Sequence, residues 1–378
     1  MVFKRLYRRM KITILLICLL FLTSACEYLR KEKIKIGLMG SFSGKYSDMG
    51  KEFRFGNMLA LKHFKNKYPN AAFEIEIKTY DTQGEPETIK SLMETVKQDG
   101  VKLILGPLTS NIAREIIDRQ QIKDILFLSP TVSSDFFSNK DDNFIMINAM
   151  ASLQGVAIAK ELLNDGINSV VILYDGENAE YTLAVRDGIL QAYHGKIAFK
   201  DLDLSLWSKE DYPQKLLEVV NLKPQAVTIL SSGITGGALV QNLGRLKYKG
   251  KIYGPTWLKT NNYIQHGGKF AEGTKVISNY YPVSKSREYQ LFENEYMKLF
   301  GSHPDWLGIY AYDTMNIVLQ ALLITEPKDS ENLKKAIVNN KVVNGIQEDF
   351  FINDRGDASR KTSTFMVKQG KFERINNE

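Results

Sequence analysis

Short apolar runs of strand length alternate with amphipathic helical segments along almost the whole chain, and this alternation restricts the fold more than any other feature. Ile34–Met39, Val101–Leu105, Ile125–Leu128, Ser169–Tyr174, Ile197–Leu202, Ala226–Leu230, Lys251–Tyr253 and Lys275–Asn279 read as strands. Phe73, Ile75 and Ile77 alternate with Glu74, Glu76 and Lys78, a strand with one more polar face. Between these runs the spacing predicts helices over Phe53–Lys67, Pro86–Asp99, Ile112–Gln121, Leu153–Asn164, Tyr181–Tyr193, Tyr212–Val220 and Ala238–Leu246. In the second of them Ile89, Leu92, Met93 and Val96 recur at i, i+3, i+4 and i+7. Three further helices are expected near Tyr289–Phe300, Tyr310–Thr325 and Ser330–Asn339. Strands Phe350–Ile352, Ser363–Val367 and Phe372–Ile375 end the chain, the last two joined through Gln369-Gly370. Strand–helix–strand repetition implies parallel sheets covered by helices on both faces, and such sheets take ligands beyond the carboxyl ends of their strands. At 378 residues the chain is longer than one core usually supports, so two lobes are expected. No short repeat period suggests a solenoid or propeller.

The N-terminus reads as a targeting segment. Met1–Lys11 holds five basic residues and no acid, and Ile12–Ala25 is uncharged and mostly apolar. Fourteen residues suit a signal core and fall short of the ~20 a spanning helix needs. The run Leu22-Thr23-Ser24-Ala25-Cys26 resembles a bacterial lipobox, with Thr23 where leucine is commoner. On that reading residues 1–25 are a signal peptide, Cys26 is the lipidated first residue of the mature chain, and 26–32 form a tether. An ordinary cleaved signal or an uncleaved anchor are the other readings. Cys18 leaves with the leader, so Cys26 would be the sole mature thiol, which excludes an internal disulfide or a cysteine metal site. The net charge of +7 is mostly leader: taking its five basic residues from 50 Lys and Arg leaves 45 against 43 Asp and Glu, a balance of +2. Hence no nucleic-acid partner is expected, and the cluster Arg245, Lys247, Lys249 and Lys251 reads as a solvated turn.

Chemistry-bearing motifs are missing. Gly44-Lys45 lacks the earlier glycine of a phosphate-binding loop, and neither G-x-G-x-x-G nor G-x-S-x-G occurs. His63, His194, His266 and His303 are isolated, without zinc spacing. Asp354 and Asp357 do not make a calcium loop and read as a turn. No enzyme activity, cofactor or metal is expected.

Ile34-Lys35-Ile36-Gly37 with Gly44, Gly50 and Gly56, Tyr80-Asp81 with Pro86, and Leu105-Gly106-Pro107 with Ser110 occur in an order that resembles type I periplasmic binding proteins of the leucine/isoleucine/valine-binding group. Leu128-Ser129-Pro130, Ile172-Leu173-Tyr174-Asp175, Phe300-Gly301 with Pro304, Ala311-Tyr312-Asp313 and Phe351–Gly356 extend it over nearly all of Ile34–Ile375. The resemblance implies an α/β fold of two doubly wound parallel-sheet lobes joined by a three-segment hinge. Lobe one would be 33–148 plus 283–345, and lobe two 149–282 plus 346–378. It also implies an extracytoplasmic protein, periplasmic or on the cell surface and held to the membrane by its lipid. Such a protein passes a small-molecule ligand (an amino acid, amide or aromatic acid) to an ABC transporter permease. The alternative is a ligand-sensing or partner-binding envelope lipoprotein of the same fold.

The resemblance also marks candidate ligand contacts. Ser110, before a helix, matches the serine that grips a ligand carboxylate, and as a helix cap it would have a second role. Thr131 and Ser133 match the next contact loop. In lobe two the family's stacking tyrosine falls at Ala179, and Tyr181, two places on, is either its replacement or an aromatic on a helix face. Thr256 stands where amino-acid binders carry the glutamate that pairs with the ligand ammonium, a charge threonine lacks. Trp257 could stack on the ligand or cover the cleft edge. Tyr46 and Ser43 are first-loop candidates, with exposed loop residues as the alternative, and Asp81 reads as a structural Asx-turn residue.

Overall fold

The computed structural model describes residues 31–118, 124–193, 198–279, 286–325 and 329–375. The leader, Cys26, the first part of the tether, His194 and residues 283–285 lie outside them. Two sheets organise the chain. The first runs β1 (Glu32–Gly40), β2 (Phe73–Asp81), β3 (Leu103–Leu105), β4 (Leu126–Ser129) and β5 (Phe144–Met146), in spatial order 2-1-3-4-5 and all parallel. The second repeats the plan with β6 (Ser169–Tyr174), β7 (Ala198–Asp203), β8 (Ala226–Leu230), β9 (Lys251–Gly254) and β10 (Lys275–Ser278), in order 7-6-8-9-10. The antiparallel strands β14 (Ser363–Lys368) and β15 (Lys371–Arg374) extend it beyond β10. Their hairpin turns through Gln369 and Gly370, both at positive φ (51° and 69°), the geometry that matches strand twist in a two-residue loop.

Helices between the strands cover both sheets. On the first side these are α1 (Ser47–Lys67), α2 (Ile89–Asp99) and α3 (Ser110–Asp118). On the second side α4 (Ala151–Asn164), α5 (Ala179–Tyr193), α6 (Tyr212–Asn221), α7 (Gly233–Arg245) and α8 (Asn261–Gly267) follow. The chain then returns through α9 (Arg287–Phe300), α10 (Trp306–Ile324) and α11 (Ser330–Asn339), of which α10 lies along α1. A small antiparallel sheet, β11 (Val342–Asn344), β12 (Asp349–Ile352) and β13 (Ala358–Ser359), precedes the final hairpin, and Asp357 bridges to Met146 of β5. The chain thus passes between the two large sheets three times. The boundary read at 345/346 falls in the β11–β12 turn.

Helix α10 is apolar on almost every side because it is buried on almost every side; it is long and apolar enough to cross a membrane, and 72% of that stretch lies inside the molecule. Its approach to α1 depends on Gly56, where an added Cβ would stand 2.1 Å from the Gly308 carbonyl oxygen and 2.9 Å from Ala311 Cβ. Backbone cannot yield there as a side-chain tip can. Gly56→Ala is therefore expected to lower the unfolding free energy by about 1–3 kcal/mol through overpacking, read as a lower urea midpoint at unchanged slope.

Several elements depart from the sequence reading, three of them near the site. Helix α1 starts at Ser47 rather than Phe53, because Gly50 serves close packing rather than a turn: a Cβ there would meet the Ser41 oxygen at 2.0 Å. Strand β5 has only three residues, all buried, and α8 is short and polar, begun by Thr260 Oγ1 accepting from Tyr263 N (3.3 Å). Neither length carries a readable period. Asp81 is an Asx-turn residue as expected: Oδ1 accepts from Gln83 N (2.9 Å) and Phe42 N (2.8 Å), and Oδ2 from Ser43 Oγ (2.6 Å).

Candidate functional site

A 2-1-3-4-5 sheet binds ligands where the strand order reverses, at the carboxyl end of its first strand. Here the carboxyl ends of both sheets face one another, so two such points meet in one cleft. From the first sheet come the loops after β1, β3 and β4. From the second come those after β6 and β9. Met49, Leu108, Ser110, Thr131, Asn148 and Trp306 on one side and Asn178, Tyr181, Thr256 and Trp257 on the other line a cavity between them. Its volume is about 20 Å³, room for roughly one water. A solute the size of leucine or benzoate enters only if contacts between the two sides loosen.

Local folding positions these side chains. Ser129 Oγ ends β4 by donating to Pro107 O (2.7 Å) and accepting from Val132 N (2.9 Å), which ties the β3 and β4 loops together. Thr131 Oγ1 donates to Leu108 O (2.7 Å), so its hydroxyl is engaged locally. On the second side Gln154 Oε1 accepts from Thr256 N (2.9 Å) and Tyr181 Oη (3.4 Å). Thr256 Oγ1 accepts from Asn279 N (3.3 Å) and lies 3.3 Å from Ser278 Oγ. Burial pushes the Tyr181 phenol well up, so it is a neutral hydroxyl at every physiological pH.

Side chains join the two sides directly. Tyr46 Oη donates to Asp175 Oδ2 (3.0 Å), and Lys45 Nζ reaches Asp175 (3.1 Å) and Glu177 (2.6 Å). Asn111 Nδ2 donates to Glu177 O (2.8 Å) and its Oδ1 accepts from Glu180 N (2.8 Å), while Arg114 pairs with Glu180 (3.3 Å). Trp257 Nε1 donates to Met49 Sδ (3.3 Å), and its ring lies 5.6 Å from Tyr46 and 5.7 Å, edge-on, from Tyr181. Asn262 Nδ2 donates to Asp48 Oδ2 (3.0 Å). Burial raises the Asp175 carboxyl and the Lys45 ammonium opposes that rise. For Lys45, burial pulls its pKa down, but Asp175 and Glu177 outweigh it and hold it up. Asp175→Asn removes the charge both lobe-one groups address. Charged hydrogen bonds contribute ~1.5–3 kcal/mol, so the variant is expected to weaken ligand affinity at least about tenfold by calorimetry.

Five of the seven sequence candidates, Ser110, Thr131, Tyr181, Thr256 and Trp257, thus line one cavity. Tyr46 stands beside it, against Trp257. Ser133 does not line it: it is wholly buried, its carbonyl accepts from Ala151 N (2.7 Å) and its Oγ has no partner. Sequence reasoning missed Met49, Leu108, Asn148, Asn178 and Trp306. Met49 lay in a stretch read as loop, and Trp306 preceded the helix read from Tyr310. His63 lies elsewhere, between Tyr312 Oη (2.9 Å) and Glu295 (2.7 Å). Among the described residues no group of three His, Cys, Asp or Glu could hold a metal ion. A larger open groove, lined by Lys62, His63, Glu295, Tyr312 and the β11–β12 turn, lies away from the sheet ends.

Comparison with known proteins agrees with this geometry. The Leu/Ile/Val-binding protein BraC3 of Rhizobium johnstonii is 22% identical over 67% of this chain and 69% of its own length. The crystal structure of a leucine-binding protein LivK from Thermotoga maritima superposes with a TM-score of 0.81 at 19% identity, over 91% of this chain and 98% of that one. A solute-binding protein of an ABC transporter from R. palustris, in complex with benzoate, superposes with a TM-score of 0.81 at 16% identity, over 91% and 95%. These structural likenesses establish a type I periplasmic-binding fold, and the proteins that share it here are binding proteins. The model of one family, periplasmic binding protein, matches residues 33–371, and the chain belongs to that family.

Proposed function

We propose that this protein captures a small solute in its interlobe cleft and delivers it to the permease of an ABC transporter, performing no chemistry. One observation carries the reading: the carboxyl ends of two parallel sheets converge on a single cavity walled from both sides. The lobes would be 33–148 plus 283–345 and 149–282 plus 346–378, with the three passages between sheets as hinge. Ligand that touches both walls only when the lobes meet shifts the population toward the closed form, which a permease can recognise. The family's extracytoplasmic setting fits a leader ending at Ala25, and a lipid on Cys26 would hold the protein at the membrane beside its permease. Stable anchoring needs more than one acyl chain.

The direct side-chain contacts across the cleft favour a second reading, a sensing or partner-binding envelope lipoprotein whose lobes hold together without solute. A thermal-shift screen of the chain from residue 27, stripped of ligand by unfolding and refolding, separates the two. A solute at 100 times its Kd adds ~2.7 kcal/mol to stability, a clear rise in midpoint. A shift with any amino acid, amide or aromatic acid supports solute capture. A folded protein that shifts with none of them leaves the partner-binding reading.

A further inference from the structure

None of the ten residues around the cavity carries a formal charge. Asp175, the acid at which the two sides meet, already accepts from Tyr46 Oη (3.0 Å), Lys45 Nζ (3.1 Å) and Glu177 N (3.2 Å). Thr256 occupies its hydroxyl with Asn279 N. What the cleft offers instead is donors. Trp306, only 4% exposed, is part of the wall, and its indole N–H is buried with no partner. Gln154, wholly buried, stands behind the wall; Thr256 N fixes its Oε1 (2.9 Å) and leaves Nε2 unpartnered. Ser110 opens the nine-residue helix α3 at the cavity, and the N-terminal end of a helix favours negative charge.

An unpaired buried donor calls for an acceptor. An ammonium brings three more donors and no acceptor, and a buried cation without a carboxylate partner is costly. The unpaired acceptors Asn279 Oδ1 and Ser133 Oγ are neutral and outside the lining. Asp48 Oδ1, next to Met49 in sequence, is also unpaired, but Asp48 is outside the lining too, its Oδ2 accepts from Asn262 Nδ2 (3.0 Å), and burial raises its carboxyl toward the neutral form. A carboxylate, by contrast, is satisfied by neutral N–H and O–H donors. Met49, Leu108, Tyr181, Trp257 and the Trp306 ring suit an apolar or aromatic body. We infer that the cleft selects a carboxylic acid without an ammonium group, and that Trp306 Nε1 donates to one of its oxygens as a specificity-determining contact. The inference rests on the reading of the cleft as a solute site.

The test is calorimetry on the full-length chain in detergent, after ligand stripping, with L-leucine, 4-methylpentanoate, benzoate and 3,4-dihydroxybenzoate as probes. 4-Methylpentanoate is leucine without its ammonium, so the pair isolates that group. The expected result is that 4-methylpentanoate or an aromatic acid binds at least about tenfold tighter than leucine. Trp306→Phe keeps a ring and loses the donor, and it should weaken the acids about five- to tenfold with the thermal midpoint of the unliganded protein little changed. Leucine binding as tightly as 4-methylpentanoate and the aromatic acids overturns the selectivity while leaving solute capture intact. A folded Trp306→Phe with unaltered acid affinity overturns the role of Trp306. If none of the four probes binds, the inference is overturned; solute capture itself falls only if the wider screen is also silent.

Discussion

Arg360→Ala lowers the unfolding free energy by about 3–5 kcal/mol, the cost of leaving a buried ion without its partner. Both side chains of the Arg360–Asp313 pair are 3% exposed, with Nη2 3.7 Å from Asp313 Oδ2. Arg360 Nε donates to Ile147 O (2.8 Å), and its guanidinium lies over the rings of Phe350 (3.6 Å) and Tyr310 (4.1 Å). Asp313 Oδ1 in turn accepts from Ile346 N (2.8 Å). One ion pair therefore fastens α10 to segments near residues 147 and 346, where the chain passes between the sheets. Burial pushes the Asp313 carboxyl up to about 6, against the pull of Arg360. A carboxyl raised above its unfolded value contributes stability that is full below pH ~4 and lost as pH climbs through ~6. Without Arg360 the carboxyl rises further, so the variant's deficit should be larger at pH 7.5 than at pH 5. Urea unfolding at both values checks this; a deficit under 1 kcal/mol at pH 7.5 would mean the pair is replaceable by packing.

Trp257→Ala is expected to weaken ligand binding about 100-fold. The indole is 4% exposed and bridges the cleft, between Tyr46 and Met49 on one side and Tyr181 on the other. Buried aromatic anchors at the centre of an interface typically carry 2–4 kcal/mol, and truncation leaves a void that the facing lobe cannot fill. Trp257→Phe, which keeps a ring, should lose less than tenfold. Calorimetry on both variants decides whether the aromatic bridge, rather than general folding, sets the affinity; equal losses for Ala and Phe would assign the effect to the Met49 contact.

Much of the architecture was legible because its signals are long. Helix α2 shows an unbroken apolar stripe, β6 and β8 are continuous apolar runs, and Gln369-Gly370 names the last hairpin. The lobe-forming excursions became readable only through the family resemblance, since periodicity does not say which sheet a strand joins. The site was partly legible for the same reason. Ser110 and Thr131 follow strands whose ends were visible, and Thr256-Trp257 follows β9. Trp306 and Asn148 reach the cavity from helices and passages that return from far along the chain, and no local pattern marks them. Arg360, in Ser359-Arg360-Lys361, looks like one of two solvated cations; only its placement beneath Tyr310 and Phe350 reveals a buried one. Ser133 is absent from the cavity lining: the turn after β4 directs its backbone to Ala151, and its side chain is wholly buried.

The most direct test of the account is small-angle X-ray scattering on the ligand-stripped protein with and without a saturating solute from the screen. The account predicts a smaller radius of gyration with solute, because ligand that touches both walls shifts an ensemble containing open forms toward the closed form. An unchanged radius with solute demonstrably bound would contradict capture by lobe closure.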